Sequence, residues 1–375
     1  MADQNLLDKV HDLSDLELAI LICLVAQEHC IIDTDQDSID ELIQELELIA
    51  GNAFGLSHAT VDLSEQTSLD DFAQAILSIE DKPTRSNSPA RARQDSLLYT
   101  PPFQPTSRSP LSASFSDSHA IPSIILAKNL DQASKQIQIQ ALELMRIKRI
   151  YTRTSMHSAP KQFLFIAVLA DANGPRLAKH LNDYMFISHF HNPEDGFPNL
   201  EDLYDDRNSI SSVVKKSLTA HPNAPPRISA ADIDTLSKLS EHATFAVEVK
   251  QYQLNMICFL RLHRAVASGI TAAATKHFDT LAKFVTIKSN ILEQSHLTDS
   301  RCLAPLHGLS YTTPSLIALA ARRIYRHRIN VVTPENERSM QWGSDIRAVE
   351  AVLQGIEPDD IIEDVINKSG LEALL

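Results

Sequence analysis

Residues 121–150, IPSIILAKNLDQASKQIQIQALELMRIKRI, decide how the chain is read. Ser123 to Ala127 is a short apolar run behind a proline, the pattern of a strand buried in a parallel sheet. Beyond it, apolar residues recur at Ile137, Leu142 and Met145, with Ala133 and Ala141 nearby. That spacing predicts a helix over about Ser134 to Arg146 with one stripe facing a core.

Upstream, Ser14 stands three residues before Glu17, the signature of a helix start, and Leu16, Ala19, Ile20, Cys23 and Leu24 give that helix an apolar face. His29 to Ile32 reads as a strand, Ile39 to Ile49 as a helix, His58 to Leu63 as a second strand and Ser68 to Leu77 as a short helix. Strand, loop, helix, strand is the opening of a P-loop fold. The loop after the first strand is acidic: Asp33, Asp35 and Asp37, then Asp40 and Glu41. At contact distance each like-charge pair costs about 1 to 4 kcal/mol in wet surroundings, so this loop opposes a triphosphate. Acids also suit the positive end of a helix, and that reading is preferred to calcium binding, because DTDQD lacks a glycine at the sixth loop position.

The stretch 121–150 resembles the Walker B strand and following helix of the MoxR and magnesium-chelatase I-subunit branch of AAA+ ATPases. In that branch the strand ends in Asp-Glu, an apolar residue, Asp or Asn, and Ala. Here Lys128 and Asn129 fall on the acid pair, while Leu130, Asp131 and Ala133 keep the pattern. Laid on the phosphate loop GxxxxGK[ST], the first glycine falls on Thr34, the second on Ile39, the lysine on Asp40 and the hydroxyl residue on Glu41. Such a loop works through backbone N–H groups freed by glycine, a lysine charge and a hydroxyl on magnesium. The next buried strand, Gln162 to Ala170, ends in Val168, Leu169 and Ala170 where relatives have a polar sensor, and none of these side chains can hydrogen-bond phosphate. HLNDYMF resembles the LLDRF segment: Asp183 is kept and Tyr184 replaces the arginine that acts across a subunit interface. Thr312 to Ile329 resembles the last lid helix, with Ser315 on the lid arginine, and VVTPENE matches VTPEDV at Thr333 and Pro334.

The resemblance implies an α/β core, an AAA+ P-loop-like parallel sheet with helices on both faces, followed by an all-α lid. The expected division is 1–80 and 121–198 for the core, 81–120 for a Ser/Pro/Arg-rich disordered insertion, 199–227 for a linker, 228–355 for the lid and 356–375 for an acidic helical tail. Phe245 to Ala273 is expected as a long helix or a pair, and Ala274 to Ile291 as another. Arg146, Lys148, Arg149 and Arg153 are read as the charged face of a hairpin after the helix, and Arg322, Arg323, Arg326 and Arg328 as a solvated helix face, with docking of an acidic partner as the sharper alternative. His189 and His191 share one face of a strand, a spacing that can bind zinc, but satisfied or surface histidines are the preferred reading.

A net charge of −14 in 375 residues disfavours a duplex-DNA binder and suits a basic partner. Cys23, Cys30, Cys258 and Cys302 form no CxxC pair, and the start has no signal-peptide core, so a soluble cytoplasmic or nuclear protein is expected. The replaced positions imply a catalytically inactive scaffold or regulatory subunit with no cofactor or metal, joining other proteins such as an active AAA+ relative or another copy of itself. The alternative is a residual chelatase-type ATPase using ATP and magnesium; a weaker one is nucleic-acid binding through the Arg146 and Arg322 clusters. Lys128 carries the sharpest expectation: an ammonium at the magnesium position would neutralise nearby acids without any metal, against the plainer reading that it points to solvent.

Overall fold

The structure is a computed structural model describing residues 9–10, 12–77, 121–153, 155–170, 176–201, 203, 226–242, 247–292 and 314–372. The expected insertion at 81–120 lies outside the described residues.

The chain enters through α1 (Asp15–Ala26). The Ser14 hydroxyl accepts from the Glu17 amide at 3.3 Å while the Ser14 amide donates to the Glu17 carboxylate at 3.0 Å, satisfying two helix-end groups reciprocally. There follow β1 (Cys30–Thr34), α2 (Ile39–Leu48), β2 (His58–Asp62), α3 (Leu69–Leu77), β3 (Ile124–Lys128) and α4 (Lys135–Ile147), the last capped by Ser134. A hairpin of β4 (Arg149–Tyr151) and β5 (Met156–Ser158) leads to β6 (Leu164–Ala170), α5 (Lys179–Tyr184) and β7 (Ile187–Phe190).

Five of these strands form one sheet in the order β2-β3-β6-β1-β7, every neighbouring pair parallel. Alternate residues of each strand face opposite sides. Cys30, Ile32, Leu126, Ile166 and Val168 pack with α1 and α2, while Ile31, Ile125, Ala127, Phe165 and Ala167 pack with α3, α4 and α5. Burial on both faces explains why β3 and β6 read as unbroken apolar runs. Each of the buried Ile, Leu, Val and Phe side chains contributes about 1.5 to 3 kcal/mol of transfer free energy.

The C-terminal region contains α6 (Ala230–His242), α7 (Val247–Leu262), α8 (Ala272–Leu292), α9 (Pro314–Tyr325), α10 (Ile346–Leu353) and α11 (Pro358–Glu372). The all-α expectation is corrected here. Between α7 and α8 the chain forms β8 (Val266–Ser268), which pairs antiparallel with β9 (Asn330–Val331). Phe245 to Ala273 is therefore not continuously helical. Gly269 follows β8 at φ +116°, and a Cβ there would meet the Arg328 carbonyl oxygen at 2.0 Å, so the crossing requires glycine.

Arg322 and Arg326 do not present a free basic face. They pair with Glu363 and Asp359 of α11, whose Ile361, Ile362 and Val365 are buried. The acidic partner that could suit them is the chain's own last helix. Arg328 departs further from expectation and is only 2% exposed.

Candidate functional site

In a parallel sheet, ligands meet the carboxyl ends of the strands, where the loops and helix N-termini converge. Here those ends are Thr34, Asp62, Lys128, Ala170 and Phe190. Alternation along β3 sends Lys128 toward α2, and its register partner across β2 is Asp62. The Lys128 ammonium pairs with the Asp40 carboxylate on the first turn of α2 and lies 3.9 Å from an Asp62 oxygen. Its side chain is largely enclosed at 16% exposure, whereas Asp40 is 73% exposed. Asn129 adopts φ 56°, a left-handed conformation that asparagine tolerates, and its amide donates to Asp62 at 3.3 Å. Lys128 is thus an ammonium held beside two carboxylates and does not extend into solvent.

The remaining predicted positions divide into two groups. Thr34 pairs in register with Ala170, so both sit at this edge; the Thr34 hydroxyl donates to the His191 carbonyl at 3.0 Å and faces inward. Glu41 is exposed beside Asp40, as are Asp35 and Asp37 before the helix. Tyr184 lies at the opposite end of the sheet, its ring 6.0 Å from that of His29 ahead of β1. Burial raises the Tyr184 hydroxyl above its ordinary pKa, with Glu28 adding to the effect. Ser315 is exposed on the first turn of α9.

Several polar groups at this edge escape a reading by residue type. Asp33 belongs to β1, not to the acidic loop. It accepts from the Ser188 hydroxyl at 2.8 Å, and burial pushes its carboxyl up to about 6 although that hydrogen bond opposes the rise. Arg176 pairs with Asp131 and donates to the Ala170 carbonyl, tying the loop after β3 to the end of β6. Asp62 becomes legible only once the β2–β3 register is known.

His189 and His191 are buried, at 4% and 7% exposure. The Arg323 guanidinium donates to His189 Nδ1, and His191 Nε2 meets the Gly196 carbonyl oxygen at 3.1 Å. Burial and then Arg323 push His189 down to about 3. A guanidinium against a histidine nitrogen opposes a metal cation there. Among the described residues, no group of three or more His, Cys, Asp or Glu could hold a metal ion.

No protein-family model matches the sequence, and no curated protein matches it. The fold does have a counterpart. The crystal structure of a candidate ATPase from Cytophaga hutchinsonii superposes with TM-score 0.58 at 13% identity, covering 98% of this chain and 93% of that one. This chain has a P-loop ATPase-like α/β fold. At that identity the likeness concerns architecture, and the chemistry has to be argued from the residues at the sheet edge. Those residues offer a surface on which Lys128 and Arg176 are each paired with an acid while Asp35, Asp37, Asp40 and Glu41 stand exposed. Among the described residues no helix is long and apolar enough to cross a membrane.

Proposed function

We propose that this chain is a nucleotide-independent member of the ATPase-like fold, acting as a scaffold or regulatory subunit for other proteins rather than as a motor. One observation carries the reading. The strand-end Lys128 is neutralised by Asp40 on the first turn of α2, the reverse of the charge order that a phosphate loop and a metal-binding strand end require. A triphosphate approaching the start of α2 meets the exposed carboxylates of Asp40, Glu41, Asp37 and Asp35, and Lys128 is already engaged. No glycine occurs between Thr34 and Glu41, so side chains stand between a phosphate and the backbone N–H groups there. On this reading the fold serves as a shape that holds surfaces in register, its motif order resembling that of MoxR and chelatase proteins.

The test is thermal denaturation of the full chain with and without millimolar magnesium and ATP. A ligand that binds only the folded state raises the midpoint, by about 2.7 kcal/mol of added stability at a hundredfold excess over its dissociation constant. No shift is expected. A concentration-dependent rise of several degrees would sink the reading.

A further inference from the structure

The hairpin after α4 carries a surface that the nucleotide-site argument does not use. It is firmly built. Ile150 is buried at 2% exposure, and the Ala159 amide donates to the Lys148 carbonyl at 2.8 Å. At the turn, the Thr152 amide donates to the Ser155 carbonyl at 2.9 Å, and Arg153 reaches Asp70 at the start of α3 at 2.5 Å. Its outer face is nevertheless open, with Tyr151 and Met156 beside Arg149 and Ser158. Tyr151 and Met156 are register partners, so their side chains stand together, 54% and 51% exposed. On adjoining α4, Ile139 and Ile147 are 61% and 48% exposed and lie on one stripe, about 12 Å apart at the helical rise. Exposed Arg146 and Arg149 flank the apolar residues. This basic rim sits on a chain of net charge −14.

We infer that this face of α4 and the β4–β5 hairpin is a docking surface for an acidic amphipathic helical segment of a protein partner. Ile139 and Ile147, two turns apart on α4, match the spacing of anchors on one helix face. Rim arginines select acids alongside those anchors and speed encounter. Flexible Met156 and amphipathic Tyr151 adapt to side chains of differing shape. A polynucleotide would want a continuous cationic row, whereas aliphatic residues and Glu143 interrupt this one. Glu143, on the same stripe, disfavours an acid opposite it and so fixes the partner's register. The inference is independent of the state of the phosphate site.

The test uses the full chain and a synthetic amphipathic helical peptide with leucines on one face and glutamates on the other. Its lysine-for-glutamate analogue and a short single-stranded DNA serve as the comparison probes. Binding is read by fluorescence anisotropy, and the chain's own assembly by sedimentation velocity. The acidic peptide is expected to bind in the micromolar range and the lysine analogue far more weakly. Tyr151→Ala should weaken binding about tenfold, as loss of a central aromatic anchor does. Arg149→Glu should weaken it by a similar factor and flatten its salt dependence. Both side chains are exposed, and an unchanged melting temperature would show that the variants fold. Equal binding of the two peptides would overturn the proposal. So would tighter binding of the oligonucleotide, or self-association abolished by Tyr151→Ala, which would assign the face to a second copy of the chain. ATP binding by the same chain would end the nucleotide-independent reading and leave this surface untouched.

Discussion

The two ends of the sheet treat charge in opposite ways. At the carboxyl end, Lys128, Asp40 and Asp62 form an ion-pair group in which both acids are about two-thirds or more exposed. Toward the other end, Arg328 is buried where the C-terminal region meets α5 and β7. Its guanidinium donates to the carbonyls of Met185 and Asp183, to His277 Nδ1 at 2.7 Å and to His327 Nε2 at 3.2 Å. The Asn182 amide donates to the His327 carbonyl at 2.6 Å, and the Thr271 hydroxyl to Asp183 at 2.5 Å. A surface ion pair contributes about 0 to 1 kcal/mol, whereas breaking a buried charged network costs about 3 to 5 kcal/mol. The comparison teaches that integrity resides at the junction, leaving the Lys128–Asp40 pair free to change its charge with little effect on folding.

The sharpest way to break this contrast is Arg328→Ala. It leaves the carbonyls of Met185 and Asp183, and two histidines, without their donor. A loss of about 3 to 5 kcal/mol is expected in urea denaturation. A loss below 1 kcal/mol would mean that the junction is held by apolar packing alone.

Asp33 gives a second, pH-dependent test. Its folded pKa of about 6 stands above the ordinary carboxylate value of 3.8, so the folded state binds the extra proton. Asp33 therefore costs stability progressively as pH rises from about 4 to about 6, and the cost is complete above that window. Asp33→Asn keeps an acceptor for Ser188 and should gain about 1 to 3 kcal/mol at neutral pH. The gain should vanish near pH 4. Comparing wild type and variant across pH cancels the buried histidines His29, His189 and His277, which burial pushes down to about 3 and which act in the opposite sense on acidification. A pH-independent difference would contradict the burial argument.

The smallest effects are expected at the Lys128–Asp40 pair. Lys128→Ala removes the cation and leaves exposed acids repelling one another, a loss of about 1 kcal/mol or less that salt diminishes. Exchanging both partners, Asp40→Lys with Lys128→Asp, should restore most of that loss. Additive losses in the double variant would show that the pair is not coupled.

Much of the architecture was legible from apolar periodicity. The runs at 123–127 and 162–170 are the neighbouring inner strands β3 and β6, and Ser14 and Ser134 cap the helices expected to start there. The hairpin after α4 was legible too, from charged residues alternating with Ile150. Pairings between distant residues were not. Lys128 was expected to neutralise nearby acids, and Asp40 fits that expectation, but Asp62 depends on strand register. Arg328 looked like one of four solvated arginines because its burial comes from Met185 and Asp183, on another element. β8 was hidden because three residues between two helices leave no period to detect. The acids of α11 looked like a free tail because their partners, Arg322 and Arg326, lie on a different helix.

The central claim is that the carboxyl edge of the sheet repels what related folds bind. Isothermal titration of magnesium and ATP into the full chain tests it most directly, with the charge-exchanged Asp40→Lys, Lys128→Asp variant alongside. The account predicts no saturable heat from the wild-type chain. A single-site isotherm in the micromolar range from the wild type would contradict it.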